Sequence, residues 1–179
     1  MSLLTRLLRP WHDSKSGVQR DDRDALRELW HRVVEIAREK EWYRDCGVAD
    51  TLAGRFDMIT LVLSLVLLRM ERETELIPPS VRLTELFVED MDGQMREQGV
   101  GADVVGKHMG KLMSTLGGRL GAYREGLERG EAAMAEAVSR NVSLVPQAAA
   151  LAVTQRARAL AAGLAMVPGF RVLAGEIGR

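Results

Sequence analysis

The stretch of sequence that decides the fold is Phe56-Asp-Met-Ile-Thr-Leu-Val-Leu-Ser-Leu-Val-Leu-Leu-Arg69-Met70. It is apolar on nearly all sides, as is typical of a helix buried in the middle of a domain. Asp57 and Arg69 bracket 11 residues, fewer than the ~20 that a membrane-spanning helix needs. Periodicity alone does not separate such a run from a buried strand, but its length and its helical flanks favour a helix. We therefore predict a central buried helix that begins near Asp50-Thr51.

Helical periodicity continues on both sides of this run. One helix is expected from a capping Asp21 or Asp22 to about Trp42-Tyr43, and another is expected to restart after Pro78-Pro79-Ser80 and to end at Gly99-Val-Gly101. Three more helices are expected over 103–128, 131–142 and 147–166. Since no strand candidate is present, the sequence predicts an all-α fold, a compact single-domain bundle of about six helices.

Composition divides the chain into three parts. Residues 1–20 form a basic N-terminal segment and linker that contains Arg6 and Arg9. Residues 21–142 form the helical domain, and residues 143–179 form an alanine-rich C-terminal helix and tail that we expect to pack on the same domain. The 179 residues are 46% hydrophobic and 28% charged, which suits one globular domain.

Charge excludes a general nucleic-acid binder, because 25 basic and 25 acidic residues cancel. We therefore expect no DNA partner. The charges are unevenly distributed, since residues 71–103 are acidic and residues 140–179 are basic. Such segments are either ordinary solvated helix faces or separate acidic and basic contact zones that orient a partner.

Metal and catalytic signatures are weak. His12, His31 and His108 never pair at a four-residue spacing, and Glu28 with His31 forms a lone Glu-x-x-His where a di-iron bundle needs two. Cys46 follows Asp45, whose negative charge would raise the thiol pKa. No nucleophile elbow or phosphate loop is present. We expect no metal, no cofactor and no enzymatic activity.

Methionines and glycines suggest binding instead. Met91 with Met95 and Met109 with Met113 repeat at a four-residue spacing, and such side chains either fill a core or form an adaptable apolar surface. On the helix expected over 103–128, four glycines lie within an arc of about 60° around the helix axis: Gly106, Gly110, Gly117 and Gly121. Each costs about 1 kcal/mol relative to alanine, so we expect them to lie in close backbone contact with another helix.

Charged residues at the ends of the buried helix are expected to be structural, as is the neighbouring Phe56. We predict that at least one of Arg55, Asp57 and Arg69 is partly buried and paired. The reason is that an unpaired buried charge would cost several kcal/mol.

From Trp42 to Leu127 the sequence resembles the ubiquinol–cytochrome c chaperone family. The matching stretches occur in order along the chain: Trp42-Tyr43, Gly47-Val-Ala-Asp-Thr51, Gly54-Arg-Phe-Asp57, Leu63-x-Leu-Val-Leu-Leu-Arg69, Leu86-Phe-Val-Glu-Asp-Met-Asp92, Met95-Arg-Glu-x-Gly-Val-Gly101, Gly106-Lys107, Gly118-Arg119 and Tyr123. No single word is diagnostic, but the combination is fairly specific. The resemblance leaves out the first 20 residues and everything after about Arg140.

The resemblance implies a non-enzymatic assembly factor for ubiquinol–cytochrome c reductase, with newly made cytochrome b or a related membrane protein as its client. It also implies a cytoplasmic protein, peripheral on the cytoplasmic face of the inner membrane. Basic ends with Arg6, Arg9, Arg140, Arg156 and Arg158 are candidates to meet a ribosome or an anionic membrane surface. The alternative function is a generic helical interaction or regulatory domain that binds a soluble partner or a small apolar ligand.

We expect the client to contact the two helices that follow the central one, namely the helix after Pro78-Pro79-Ser80 and the helix over 103–128. These two helices carry most of the matching stretches. These helices combine an acidic face with an adaptable apolar one. The candidate partner-binding residues are Glu85, Phe87, Glu89, Met91, Asp92, Met95, Lys107, Met109, Met113 and Arg119.

Overall fold

The computed structural model describes residues 26–97 and 102–178, with the side chains of 94–97 and 102–109 left out. Its helices, in chain order, are α1 (Arg27–Ala37), α2 (Lys40–Arg44), α3 (Leu52–Met70), α4 (Ile77–Glu97), α5 (Ala102–Arg129), α6 (Glu131–Asn141), α7 (Leu151–Met166) and α8 (Gly169–Leu173). A 3-10 turn, Thr74–Leu76, joins α3 to α4. The all-α prediction is confirmed: the one β-type pairing in these ranges is an isolated bridge between Val48 and Leu144.

Helix α3 is the centre of the bundle, as predicted. It packs against α1, α4, α5 and α7, and residues 57–67 are all buried. Thr51 caps it, because its hydroxyl accepts a hydrogen bond from the Gly54 amide at 3.1 Å. The apolar run thus forms a helix because every face of it meets another helix.

The prediction of one helix up to Trp42-Tyr43 is wrong, because the chain bends at residues 38–39 between α1 and α2. Two aromatic side chains stabilise this bend. The Trp42 indole donates to the Ile36 carbonyl and the Tyr43 hydroxyl donates to the Ala37 carbonyl, both at 2.8 Å. These bonds satisfy carbonyls at the end of α1 that have no partner within the helix.

Two predicted helix starts also move. Pro78 and Pro79 lie inside the first turn of α4, where proline is tolerated because the first amides need no partner within the helix. Helix α7 begins at Leu151, later than predicted, because Gln147 has a φ of 73°, a left-handed conformation that no right-handed helix contains. The predicted cap at Asp21 or Asp22 and the stop at Gly99-Val-Gly101 lie outside the described residues.

No helix within the described ranges combines the length and the apolar character that crossing a membrane requires.

The expected close contact along the glycine stripe is wrong at Gly110 and Gly121. Among the described residues nothing lies within 4 Å of a Cβ placed at either position. Gly117 is buried, and the side chains around Gly106 are outside the description. The close approach occurs instead at Gly126, where an added Cβ would lie 2.8 Å from the Met134 Cα of α6.

These contacts predict opposite effects for one substitution at two positions of α5. Gly121→Ala should stabilise the domain by up to about 1 kcal/mol, because helix propensity improves and no neighbour is displaced. Gly126→Ala should destabilise it, because the new methyl group overlaps the backbone of α6. Thermal unfolding followed by circular dichroism gives the two signs, and a lower melting temperature for Gly121→Ala would contradict the open space around it.

Candidate functional site

A buried polar network joins α3 to α5 and to the segment after α6. The Asp57 carboxylate is 7% exposed and accepts a hydrogen bond from Arg119 Nη2 at 2.6 Å. Its other oxygen accepts from the Ser143 amide at 2.9 Å and from the Ser143 hydroxyl at 2.7 Å. Arg119 also donates to the Thr60 hydroxyl, one turn along α3. The network therefore satisfies a carboxylate that is buried among apolar side chains.

Arg119 also contacts the aromatic part of the core. Its guanidinium lies 5.4 Å from the centre of the Phe56 ring, a cation–π arrangement. Phe56 packs against Phe87 of α4, and Phe87 packs edge-on against Trp30 of α1. Arg119 of α5 is thus connected through the Phe56 ring to Phe87 of α4, and through Phe87 to Trp30 of α1.

The loop before α3 pairs with the loop after α6, next to this network. The Ala49 amide donates to the Ser143 carbonyl at 2.8 Å, and the Val145 amide donates to the Gly47 carbonyl at 2.9 Å. Gly47 has a φ of 75°, and a Cβ there would lie 2.7 Å from the Ala148 Cβ. Glycine is therefore required at this position both by backbone conformation and by space.

At the opposite end of α3, Arg69 holds the C-terminus of α7. Its guanidinium donates to the carbonyl of Leu164 at 3.0 Å and to that of Val167 at 2.7 Å, and it pairs with Glu73. With Asp57 and Arg69 both buried and paired, the prediction about the charged ends of α3 is confirmed. Arg55 differs, since it is exposed and pairs with Asp50 at 2.7 Å.

The predicted client-binding residues fall in different environments. On α4, Glu89 is exposed and Asp92 is half-buried, whereas Glu85 is half-buried and pairs with Arg82 at 2.7 Å. Phe87 is 0% exposed and Met91 is 7% exposed, so both belong to the core beneath the acidic face.

On α5, Met113 is half-buried and packs against the core, and Arg119 is committed to Asp57. The side chains of Met95, Lys107 and Met109 lie outside the description. Of the candidates that are described, Glu89 is therefore exposed, whereas Asp92 and Met113 are partly accessible and one carboxylate oxygen of Asp92 is enclosed.

The basic C-terminal segment is not a uniform exposed patch. Arg156 pairs with Glu39 at 2.6 Å and stacks 4.6 Å from the centre of the Trp42 ring. Arg158 is half-buried, and Arg140 is exposed. Arg156 therefore fastens α7 to the bend between α1 and α2.

Cys46 is a buried thiol with a raised pKa. It is 8% exposed, and burial is the largest cause of the shift, while Asp45 adds to it as the sequence indicated. A thiol of this kind is a poor nucleophile at neutral pH. In the described part of the chain, no group of three or more His, Cys, Asp or Glu side chains is arranged to hold a metal ion.

Sequence reasoning missed a group of exposed cations around the bend between α1 and α2. Arg38, Lys40, Arg44 and Arg55 line one concave surface together with Tyr43 and Asp50. The signal was hidden because the acidic residues that alternate with these cations in the sequence make the segment neutral. It also missed the exposed apolar side chains of Met166 and Phe170, 84% and 74% accessible, on either side of Pro168.

Residues 44–177 match the family described as Ubiquinol-cytochrome C chaperone. The chain belongs to the ubiquinol–cytochrome c chaperone family. The match runs through α7 and α8, well beyond Arg140, where the resemblance read from the sequence stopped. The words Gly54-Arg-Phe-Asp57 and Gly118-Arg119 therefore mark the two halves of one buried ion pair in this chaperone-family member.

A solved structure extends the likeness over most of the molecule. The family member is similar to the crystal structure of the Cbp3 homolog from Brucella abortus, with 28% sequence identity and a TM-score of 0.76. The similarity covers 89% of this chain and 90% of the other. No curated protein matches the sequence.

The buried pair predicts a large loss of stability when one partner is removed. Asp57→Ala should destabilise the domain by about 3–5 kcal/mol, because Arg119 would stay largely buried without its counter-charge. The double variant Asp57→Ala with Arg119→Met should lose less than the sum of the two single losses. Urea unfolding of the four proteins measures the coupling.

The matched control is Asp50→Ala, which removes an exposed ion pair with Arg55 of similar length, 2.7 Å. Its cost should stay within about 1 kcal/mol. Equal losses for Asp57→Ala and Asp50→Ala would contradict the structural role of the buried network.

Proposed function

We propose that this chain is a non-enzymatic assembly factor for ubiquinol–cytochrome c reductase and that newly made cytochrome b is its client. The observation that supports this most directly is the family match over residues 44–177. The structural similarity to the Cbp3 homolog over most of both chains agrees with it. We place the protein in the cytoplasm, at the cytoplasmic face of the inner membrane, where such a client is made.

The proposed client contact is the acidic face of α4, with Met113 of α5 as part of its apolar border. Glu89 is exposed there and Asp92 is half-buried. The cytoplasmic loops of membrane proteins carry an excess of Lys and Arg, so an acidic face complements the loop ends of the client. Charge complementarity of this kind fixes orientation and accelerates encounter.

The domain division adds two proposals. We propose that residues 143–179 and 21–142 form one unit, and the bonds of Ser143, Arg156 and the carbonyls at the end of α7 to α3 and to the α1–α2 bend support this. The basic segment 1–20 and the exposed Arg140 are proposed to meet the ribosome or anionic lipid.

The test is complementation of a strain that lacks this protein. Glu89→Lys with Asp92→Lys should impair client association and lower the b-type haem of the membranes, measured spectroscopically. A change of an exposed charge usually alters stability by less than about 0.5 kcal/mol, so circular dichroism should show an intact fold for Glu89→Lys alone. Because Asp92 is half-buried, the double variant is compared with this single variant, which should lower the haem in the same direction. The matched control is Glu128→Lys with Glu136→Lys, two exposed acids elsewhere on the surface.

Each contradictory outcome removes a different part of the proposal. Undiminished haem with the folded α4 variant excludes the acidic face as the client site. An equal loss with the control shows an effect of net charge alone. Undiminished haem in the deletion strain itself contradicts the assembly function and favours a generic interaction domain.

A further inference from the structure

A basic groove lies where the α1–α2 bend meets the beginning of α3. We use this name for the cavity of about 690 Å³ lined by Arg38, Lys40, Tyr43, Arg44, Asp50 and Arg55. All four cations are exposed to solvent. In a chain with equal numbers of acidic and basic residues, this concentration of positive charge is local.

The groove is basic because folding separates charges that alternate along the sequence. Glu39 and Glu41 turn toward α7, where Arg156 lies 2.6 Å from Glu39 and 3.8 Å from Glu41. Arg38 and Lys40, which alternate with these acids, line the groove instead. The acidic residues next to these cations in the sequence are therefore paired with Arg156 instead.

The groove cations differ in their existing partners. Arg44 pairs with Asp45 and Arg55 pairs with Asp50, each at 2.7 Å. These hydrogen bonds lower the pKa of both carboxyls, which therefore stay ionised at neutral pH.

Arg38 and Lys40 are the groove cations that remain available. Neither forms an ion pair with any residue in the described part of the chain. Tyr43 adds no negative charge to the groove, because burial raises its pKa and its hydroxyl donates to the Ala37 carbonyl.

From this arrangement we infer that the basic groove binds a phosphate group, carried by a small soluble molecule or by an anionic lipid headgroup. A guanidinium and an ammonium group supply several donors to phosphate oxygens, and the guanidinium can bind two of them at once. The ion-paired cations Arg44 and Arg55 would add to the positive potential of the groove. The inference uses none of the residues proposed for the client, so it holds or fails separately from the assembly function.

The first arm of the test uses the full chain labelled with 15N and titrated with inorganic phosphate at constant ionic strength. The NMR chemical shifts of the backbone amides should change within residues 38–44 and 50–55. Arg38→Gln with Lys40→Gln should weaken phosphate binding about tenfold, since a hydrogen bond to a charged group contributes at least about that factor. The matched control, Arg72→Gln with Lys111→Gln, removes one exposed arginine and one exposed lysine outside the groove.

The second arm identifies the source of the phosphate by sedimentation with phosphatidylcholine vesicles, with and without phosphatidylglycerol. Binding to the anionic vesicles that the groove variant loses by about 30-fold, at about five-fold per basic residue, supports a lipid headgroup. Phosphate shifts in the groove, with no vesicle binding or with vesicle binding that the groove variant leaves unchanged, support a small soluble ligand. The inference is overturned if neither probe acts on the groove, or if the control variant loses as much binding as the groove variant.

Discussion

The arrangement of the bundle depends on one carboxylate inside an apolar helix. Asp57 lies in the second turn of α3. A buried carboxylate without partners would cost several kcal/mol of stability. It is satisfied by Arg119, 62 residues away, and by the amide and hydroxyl of Ser143, 86 residues away. Because these donors come from α5 and from the segment after α6, satisfying one charge brings three parts of the chain together.

Other paired charges extend this principle and leave specific surfaces free. Arg69 fastens the end of α7 to α3, and Arg156 fastens its beginning to the bend after α1. Because Glu39 is used in the second of these contacts, the cations beside it remain on the outside of the domain. The interior pairings of this chaperone-family member thus determine where its exposed charge lies.

The sequence predicted features that depend on neighbouring residues. Continuous apolarity over 58–68 indicated the buried helix, and burial made pairing of Asp57 and Arg69 necessary. The sequence did not show that Arg119 is the partner of Asp57, because helical periodicity carries no information on contacts between helices that are far apart in the chain. For the same reason the glycine stripe was misread, and the sequence left open whether Met91 fills the core, where the structure places it. The separation of Arg38 and Lys40 from the neighbouring Glu39 and Glu41 could also be recognised only in the folded structure.

Hydrogen exchange at the Ser143 amide tests the central role of Asp57 most directly, because that amide donates to the buried carboxylate from a loop. If the network holds the bundle together, this amide exchanges only through unfolding of the whole domain. Its free energy of opening then equals that of the amides in the middle of α3. Exchange at the rate of an unprotected loop, while α3 remains protected, would contradict the account.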